Sequence, residues 1–193
     1  MAKISNCSSP FHRANGNVSK RLGARSSQGF RSPALVDFLN YQLSTINFFP
    51  VASFTSNSPA ETEAFGRQFA GDVHAGSVLA LTGDLGSGKT QFVKGLVAGL
   101  GSCAPATSPT FTIIHEYPGG RLPVYHFDFF RLQDRQSVAQ LGLDDYFFGD
   151  GVSVIEWADR FRELIPEQAR WIAFETKSET QRAITLCDNS PAF

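Results

Sequence analysis

The chain has 193 residues, 42% of them hydrophobic, and a formal net charge of −1 at pH 7. That length leaves room for one domain of ordinary size plus a tail, and no run nears the roughly 18 apolar residues of a membrane-spanning helix, which excludes that class. Three scattered cysteines, Cys7, Cys103 and Cys187, suit neither a disulfide framework nor a zinc site and read as reduced thiols of an intracellular protein.

Residues 1–47 show no sustained periodicity and are rich in Ser, Asn, Gly and Arg, which predicts a disordered or weakly ordered extension. Residues 1–50 hold six basic side chains against one acidic, or +5, and the remainder holds 11 against 17, or −6. An acidic body is a poor stand-alone binder of nucleic acid, because neutralising phosphate supplies most of that affinity. The extension reads as a dispensable tail or a misassigned start, with an organelle transit peptide as the alternative. Met1 is the only methionine, so a later start would need a non-Met codon such as that of Leu43 or Val51. With no export or membrane signal, the cytoplasm is the expected location.

A folded domain is expected over residues 48–193. Phe48 to Phe54 reads as a first strand. Ser58-Pro59-Ala60-Glu61 then matches a capping box with proline at the first helical position, and Phe65, Phe69 and Val73 mark the helix's buried face. Ser77 to Thr82 reads as a buried strand. The next eight residues, Gly83-Asp84-Leu85-Gly86-Ser87-Gly88-Lys89-Thr90, fit G-x-x-x-x-G-K-[ST]. In this phosphate loop the backbone N–H groups wrap a phosphate, the lysine reaches the β/γ oxygens and the final hydroxyl binds Mg²⁺. The motif counts only between a strand and a helix. Phe92, Val93, Leu96, Val97 and Leu100 supply the helix from Gln91 to Leu100, and Gly101 its stop.

Further along, Phe111 to Tyr117 and Leu122 to Asp128 flank Pro118-Gly119-Gly120 as a β-hairpin. Helical tendency runs from Asp134 to Phe148. Gly151 to Glu156, Arg170 to Glu175 and Arg182 to Leu186 read as strands, the last two joined by a polar turn suited to an antiparallel edge. Mixed βα units and hairpins predict an α/β, three-layer P-loop NTPase-like domain with a mixed sheet covered by helices.

A phosphate loop needs an acidic partner for Mg²⁺, and two carboxylates end apolar strands: Asp128 and Glu156. If their strands run parallel to the one before the loop, both reach the phosphate site. One would hold the metal, and the other would orient or deprotonate the attacking water. Thr110, with Ser108, is placed like a switch-loop hydroxyl that senses a γ-phosphate. Trp157 reads as a core residue, or else as one that stacks on a partner or lines the site. His115 and His126 read as structural, having no nucleophile pattern or metal-ligand spacing. Thr176-Lys177-Ser178-Glu179 fails the Asn-Lys-x-Asp pattern for guanine, which favours ATP, and no Arg-rich lid follows the loop, which disfavours a small-molecule kinase.

Four stretches taken together resemble the TsaE (YjeE) family: the phosphate loop, Thr107-Ser108-Pro109-Thr110-Phe111-Thr112, Tyr125-His126-Phe127-Asp128-Phe129-Phe130-Arg131-Leu132 and Ile155-Glu156-Trp157. The resemblance spans Phe54 to Leu186. It implies a small mixed-sheet ATPase that is slow alone and acts with the TsaB–TsaD pair, which transfers a threonylcarbamoyl group to adenosine 37 of tRNAs reading ANN codons. The ATP cycle would reset that complex, and tRNA would be met mainly through it. By position, residues Gly83 to Thr90 and Thr110 would contact nucleotide, Lys89, Asp128 and Glu156 would serve catalysis, and Thr90 and Glu156 would hold Mg²⁺. Two departures stand out: Phe130 replaces the usual tyrosine, and Ala158-Asp159 replaces the commoner Pro-Glu. The alternatives are a P-loop small-molecule kinase and a nucleotide-gated binding module with negligible turnover, the latter using the same residues.

Overall fold

Six consecutive residues of one strand, Ser77–Thr82 (β2), are all buried, and this strand is the axis of the fold. The computed structural model describes residues 53–187; the expected extension over 1–47 and the start of the first expected strand lie outside them. The other strands are β1 (Ser53–Ser56), β3 (Ile114–Tyr117), β4 (Val124–Asp128), β5 (Val152–Glu156), β6 (Arg170–Thr176) and β7 (Arg182–Cys187). They form a single mixed sheet in the order β1-β7-β6-β2-β5-β4-β3. The central run β6-β2-β5-β4 is parallel, and the flanking pairs β1/β7, β7/β6 and β4/β3 are antiparallel. The uninterrupted burial of β2 and β5, including that of Ser153, follows from their central place, since a parallel strand is covered on both faces. β7, expected near an edge, is second from it, because β1 returns to pair outside it.

Helices cover both faces. On one, α1 (Pro59–Phe69) and α2 (Lys89–Gly99) pack Phe69, Phe92 and Leu96 against Leu79 and Leu81. On the other, α3 (Arg135–Ala139) and α4 (Leu143–Phe147) bury Val138 and Phe147 in a cluster with Val78, Ala80, Phe127 and Trp171. Alternate residues of β2 thus feed two separate cores, as the two-residue period of a strand requires. The helical stretch expected over 134–148 is interrupted: Gly142, with φ of 66°, separates α3 from α4. No helix among the described residues is long and apolar enough to cross a membrane.

The expected cap of α1 is present, with one change. Ser58 Oγ accepts the Glu61 N–H at 3.2 Å, but the Glu61 carboxylate accepts from Asn57 N–H at 2.8 Å instead of returning to Ser58. The box therefore closes one residue further out, which ties the end of β1 to α1. α1 and α2 cross where glycines remove side chains. A Cβ on Gly95 would lie 1.9 Å from Glu63 O, and one on Gly66 2.1 Å from Phe92 O. This close approach sets the α1 N-terminus beside the phosphate loop.

Intrinsic helix propensity favours Ala over Gly by about 1 kcal/mol, whereas overpacking costs about 1–3 kcal/mol. At Gly95 the obstacle is backbone and cannot swing away, so packing wins. Gly95→Ala should lower stability by at least about 1 kcal/mol in urea titration. Gly71→Ala, with nothing within 4 Å of the added methyl, should be neutral.

Candidate functional site

The loop between β2 and α2 is shaped by backbone. Gly88 is the N-cap of α2 at φ of 105°, a conformation open to glycine, and no side chain caps the first turn. The first N–H groups of α2 therefore remain available to an anion, at the positive end of the helix dipole. Lys89 folds back over the loop: its Nζ donates to Gly83 O at 2.6 Å and Asp84 O at 2.9 Å, and lies 4.1 Å from the centre of the Trp157 ring. Burial pushes the Lys89 ammonium below its usual pKa, against the opposing pull of Glu156, Asp128, Asp159 and Asp84. A phosphate bound here would supply the anionic partner that a desolvated cation lacks.

β4 and β5 do run parallel to β2, with Leu81, Glu156 and Asp128 in register, so both strand-end carboxylates arrive at the loop. Both are buried. Glu156 Oε1 accepts from Thr90 Oγ1 at 2.8 Å and from His126 Nε2 at 2.9 Å. Asp128 Oδ1 accepts the Phe130 N–H at 2.9 Å, while its Oδ2 accepts from the Thr110 hydroxyl at 2.5 Å and from Ser108 Oγ at 3.4 Å. The hydroxyl loop is thereby latched onto one carboxylate, and the start of α2 onto the other.

Several expectations change. The strand expected from Phe111 starts only at Ile114, because Thr112 and Ile113 N–H both bond Pro109 O in a turn. Ile113 leaves that turn with φ of 70°. Phe111 consequently stands 84% exposed, with the Arg131 guanidinium 4.3 Å from its ring centre. Trp157 is half-buried instead of a full core residue; it lines the cavity above Lys89 and packs on Phe130 at 5.0 Å between ring centres. His126 is structural in being wholly buried, but it also touches Glu156. His115 stays with Thr107 and Tyr117, 3.3 Å from each hydroxyl.

The loop from Leu85 to Thr90, with Thr110, Asp128, Glu156 and Trp157, lines a cavity of about 720 Å³. Its far wall was not legible from sequence: the N-cap Ser58 with Pro59 and Thr62 of α1, and Glu179 and Thr180 of the β6–β7 turn with Arg182 at the start of β7. The two walls meet through the antiparallel β1–β7 pairing, in which Ser56 stands opposite Arg182, and through Gln181 Nε2 donating to Asn57 Oδ1 at 3.0 Å. Gly83, Gly86 and Gly88 all take positive φ. Among the described residues no three His, Cys, Asp or Glu groups gather as a metal cage. One hydroxyl and two carboxylates around a phosphate loop match the sparse oxygen ligation that Mg²⁺ accepts when it shares a nucleotide's phosphates.

Residues 56–184 match the family model described as threonylcarbamoyl adenosine biosynthesis protein TsaE. The tRNA threonylcarbamoyladenosine biosynthesis protein TsaE of Bacillus subtilis is 44% identical over 129 residues, 67% of this chain and 80% of that protein. That of Treponema pallidum is 39% identical over 131 residues, 68% of this chain and 96% of its own. The crystal structure of Bacillus subtilis YdiB superposes with a TM-score of 0.60 at 38% identity, covering 73% of this chain and 87% of that one. It shares the P-loop NTPase-like fold with a mixed sheet between helices. On its sequence, its fold and the extent of the match, the chain belongs to the TsaE family.

Proposed function

We propose that this chain is the ATP-hydrolysing subunit of tRNA threonylcarbamoyladenosine modification, acting with the TsaB–TsaD pair. The observation that carries this reading is the convergence of Lys89, Thr90, Asp128 and Glu156 on one cavity at the N-terminus of α2. The loop N–H groups and Lys89 bind the triphosphate, and Thr90 with Glu156 holds Mg²⁺. The metal supplies charge neutralisation at the phosphate oxygens. Water attacks the γ-phosphorus in line, a new P–O bond forms, and the bond to the β-phosphate oxygen breaks to release ADP and phosphate. The protein's part is to place donors where negative charge gathers and to orient the water through a carboxylate. Thr110, held on Asp128, is free to exchange that bond for one to the γ-phosphate.

A nucleotide-gated binding module with negligible turnover needs the same residues, and the hydroxyl-loop latch supports it equally. Phosphate release separates the two. Lys89→Ala and Glu156→Ala should each lower it at least about 100-fold with unchanged circular dichroism; normal turnover in either would overturn the site assignment. Adding a TsaB–TsaD pair and tRNA to the full chain should stimulate release, whereas equal rates with ATP still bound, joined to transfer to an added hydroxyl, would point to a small-molecule kinase.

Thr110→Val should lower kcat/KM for ATP by at least about 10-fold, the lower end of the value of a hydrogen bond to a charged group. ADP affinity should hold within about 2-fold by calorimetry, since ADP lacks the phosphate that Thr110 would sense.

A further inference from the structure

His126 is fully buried in β4, and the phosphate-loop reading gives it no task. It shares a strand face with Asp128, two residues on, and that face looks toward the core that contains Tyr117, Val124 and Val154. Its Nε2 lies 2.9 Å from Glu156 Oε1, and its Nδ1 has no hydrogen-bond partner. A leucine would suit such a place better on packing grounds alone, because a buried polar atom without a partner costs stability. The retained imidazole is therefore to be explained by the bond that it does make.

We propose that His126 is a positioning residue that fixes the Glu156 carboxylate for its work at the metal; this rests on the reading of Glu156 given under Proposed function. A carboxylate oxygen only accepts, so Nε2 carries the hydrogen. Oε1 then takes two donors from two elements: Thr90 Oγ1 at the start of α2 and His126 Nε2 on the neighbouring strand. Two such bonds remove the rotational freedom of a long side chain. They also occupy one oxygen and leave Oε2 to act in the cavity that Glu156 lines. Outer residues that aim a ligating or basic group in this way carry about 10- to 100-fold of activity or affinity.

The test compares His126→Gln with His126→Asn. The glutamine amide nitrogen reaches about as far as Nε2, while that of asparagine stops near Nδ1. His126→Asn should lower kcat about 10- to 100-fold with KM for ATP within about 2-fold, and His126→Gln, with a similar unfolding midpoint, should restore most of it. In crystals without nucleotide, Glu156 should keep its bond to Thr90 in His126→Gln and leave it in His126→Asn. Equal activity of the two variants at equal stability, or an unmoved Glu156 in His126→Asn, would overturn the proposal. Should both variants misfold, a long-range ¹⁵N spectrum of the wild-type chain decides: hydrogen on Nε2 is expected, and hydrogen on Nδ1 alone overturns it. If the wild type releases no phosphate, the ATPase reading fails, while the orientation of Glu156 still decides the role of His126.

Discussion

The parallel register of β2, β5 and β4 is the constraint on which the rest of the molecule depends. It aligns Leu81, Glu156 and Asp128 across three adjacent strands, so chain segments far apart in sequence end along one edge of the sheet. The same register feeds Leu79, Leu81 and Val154 into one core and Val78, Ala80 and Ile155 into the other. A slip of one residue would exchange the two sets and turn both carboxylates away from the phosphate loop. Core and site are thus specified together. The hydrophobic pattern that makes these strands central also fixes where the acids stand.

Lys89, Asp128 and Glu156 stand at that edge, and hydrogen bonds hold each of the three. Lys89 is satisfied by loop carbonyls and an aromatic face, partners that an ammonium can leave when an anion arrives. The two carboxylates are held by hydroxyls and by an imidazole. Hydroxyls are interchangeable partners, able to donate to a carboxylate or to coordinate a cation. Under the proposed function, a metal-bound nucleotide would take over some of these contacts. Burial lowers the affinity of Lys89 for its proton and strengthens the pull toward a phosphate in the same step.

What could be read beforehand was what local chemistry encodes. The phosphate loop, the buried strand before it, the helix after it and the strand-end acids all carry short-range patterns, and each lies where those patterns place it. The glycines of the α1–α2 crossing carry no local signal, because what they accommodate is the backbone of another helix. Glu179 to Arg182 form an ordinary polar turn until β7 pairs with β1 and carries them to Ser58. His126 offers no spacing signal, since its partner is a carboxylate on the neighbouring strand. Trp157 looks like core because aromatic residues usually are. It lines the cavity because its backbone turns left-handed straight after β5. For the glycines, the turn and His126 the missing information is a long-range contact, and for Trp157 it is a backbone conformation; one-dimensional periodicity contains neither.

Among the described residues two outside glycine hold positive φ, and both adjoin the carboxylates. Ile113, at 70°, closes the hydroxyl-loop turn and accepts the Asp128 N–H at 3.0 Å; Trp157, at 61°, follows Glu156, whose carbonyl accepts the Phe129 N–H at 3.0 Å. For a β-branched or bulky residue this conformation is costly, about 1–3 kcal/mol each. Such a cost persists where neighbouring structure over-determines it, and here the neighbour is the end of the β3-β4-β5 ladder itself. The ladder therefore does two things at its final rung. It fixes the acids, and it holds the chain on either side of them in conformations that would relax if that rung opened. Rigidity at the carboxylates and strain in the segments bearing Thr110 and Trp157 are consequences of one set of backbone hydrogen bonds.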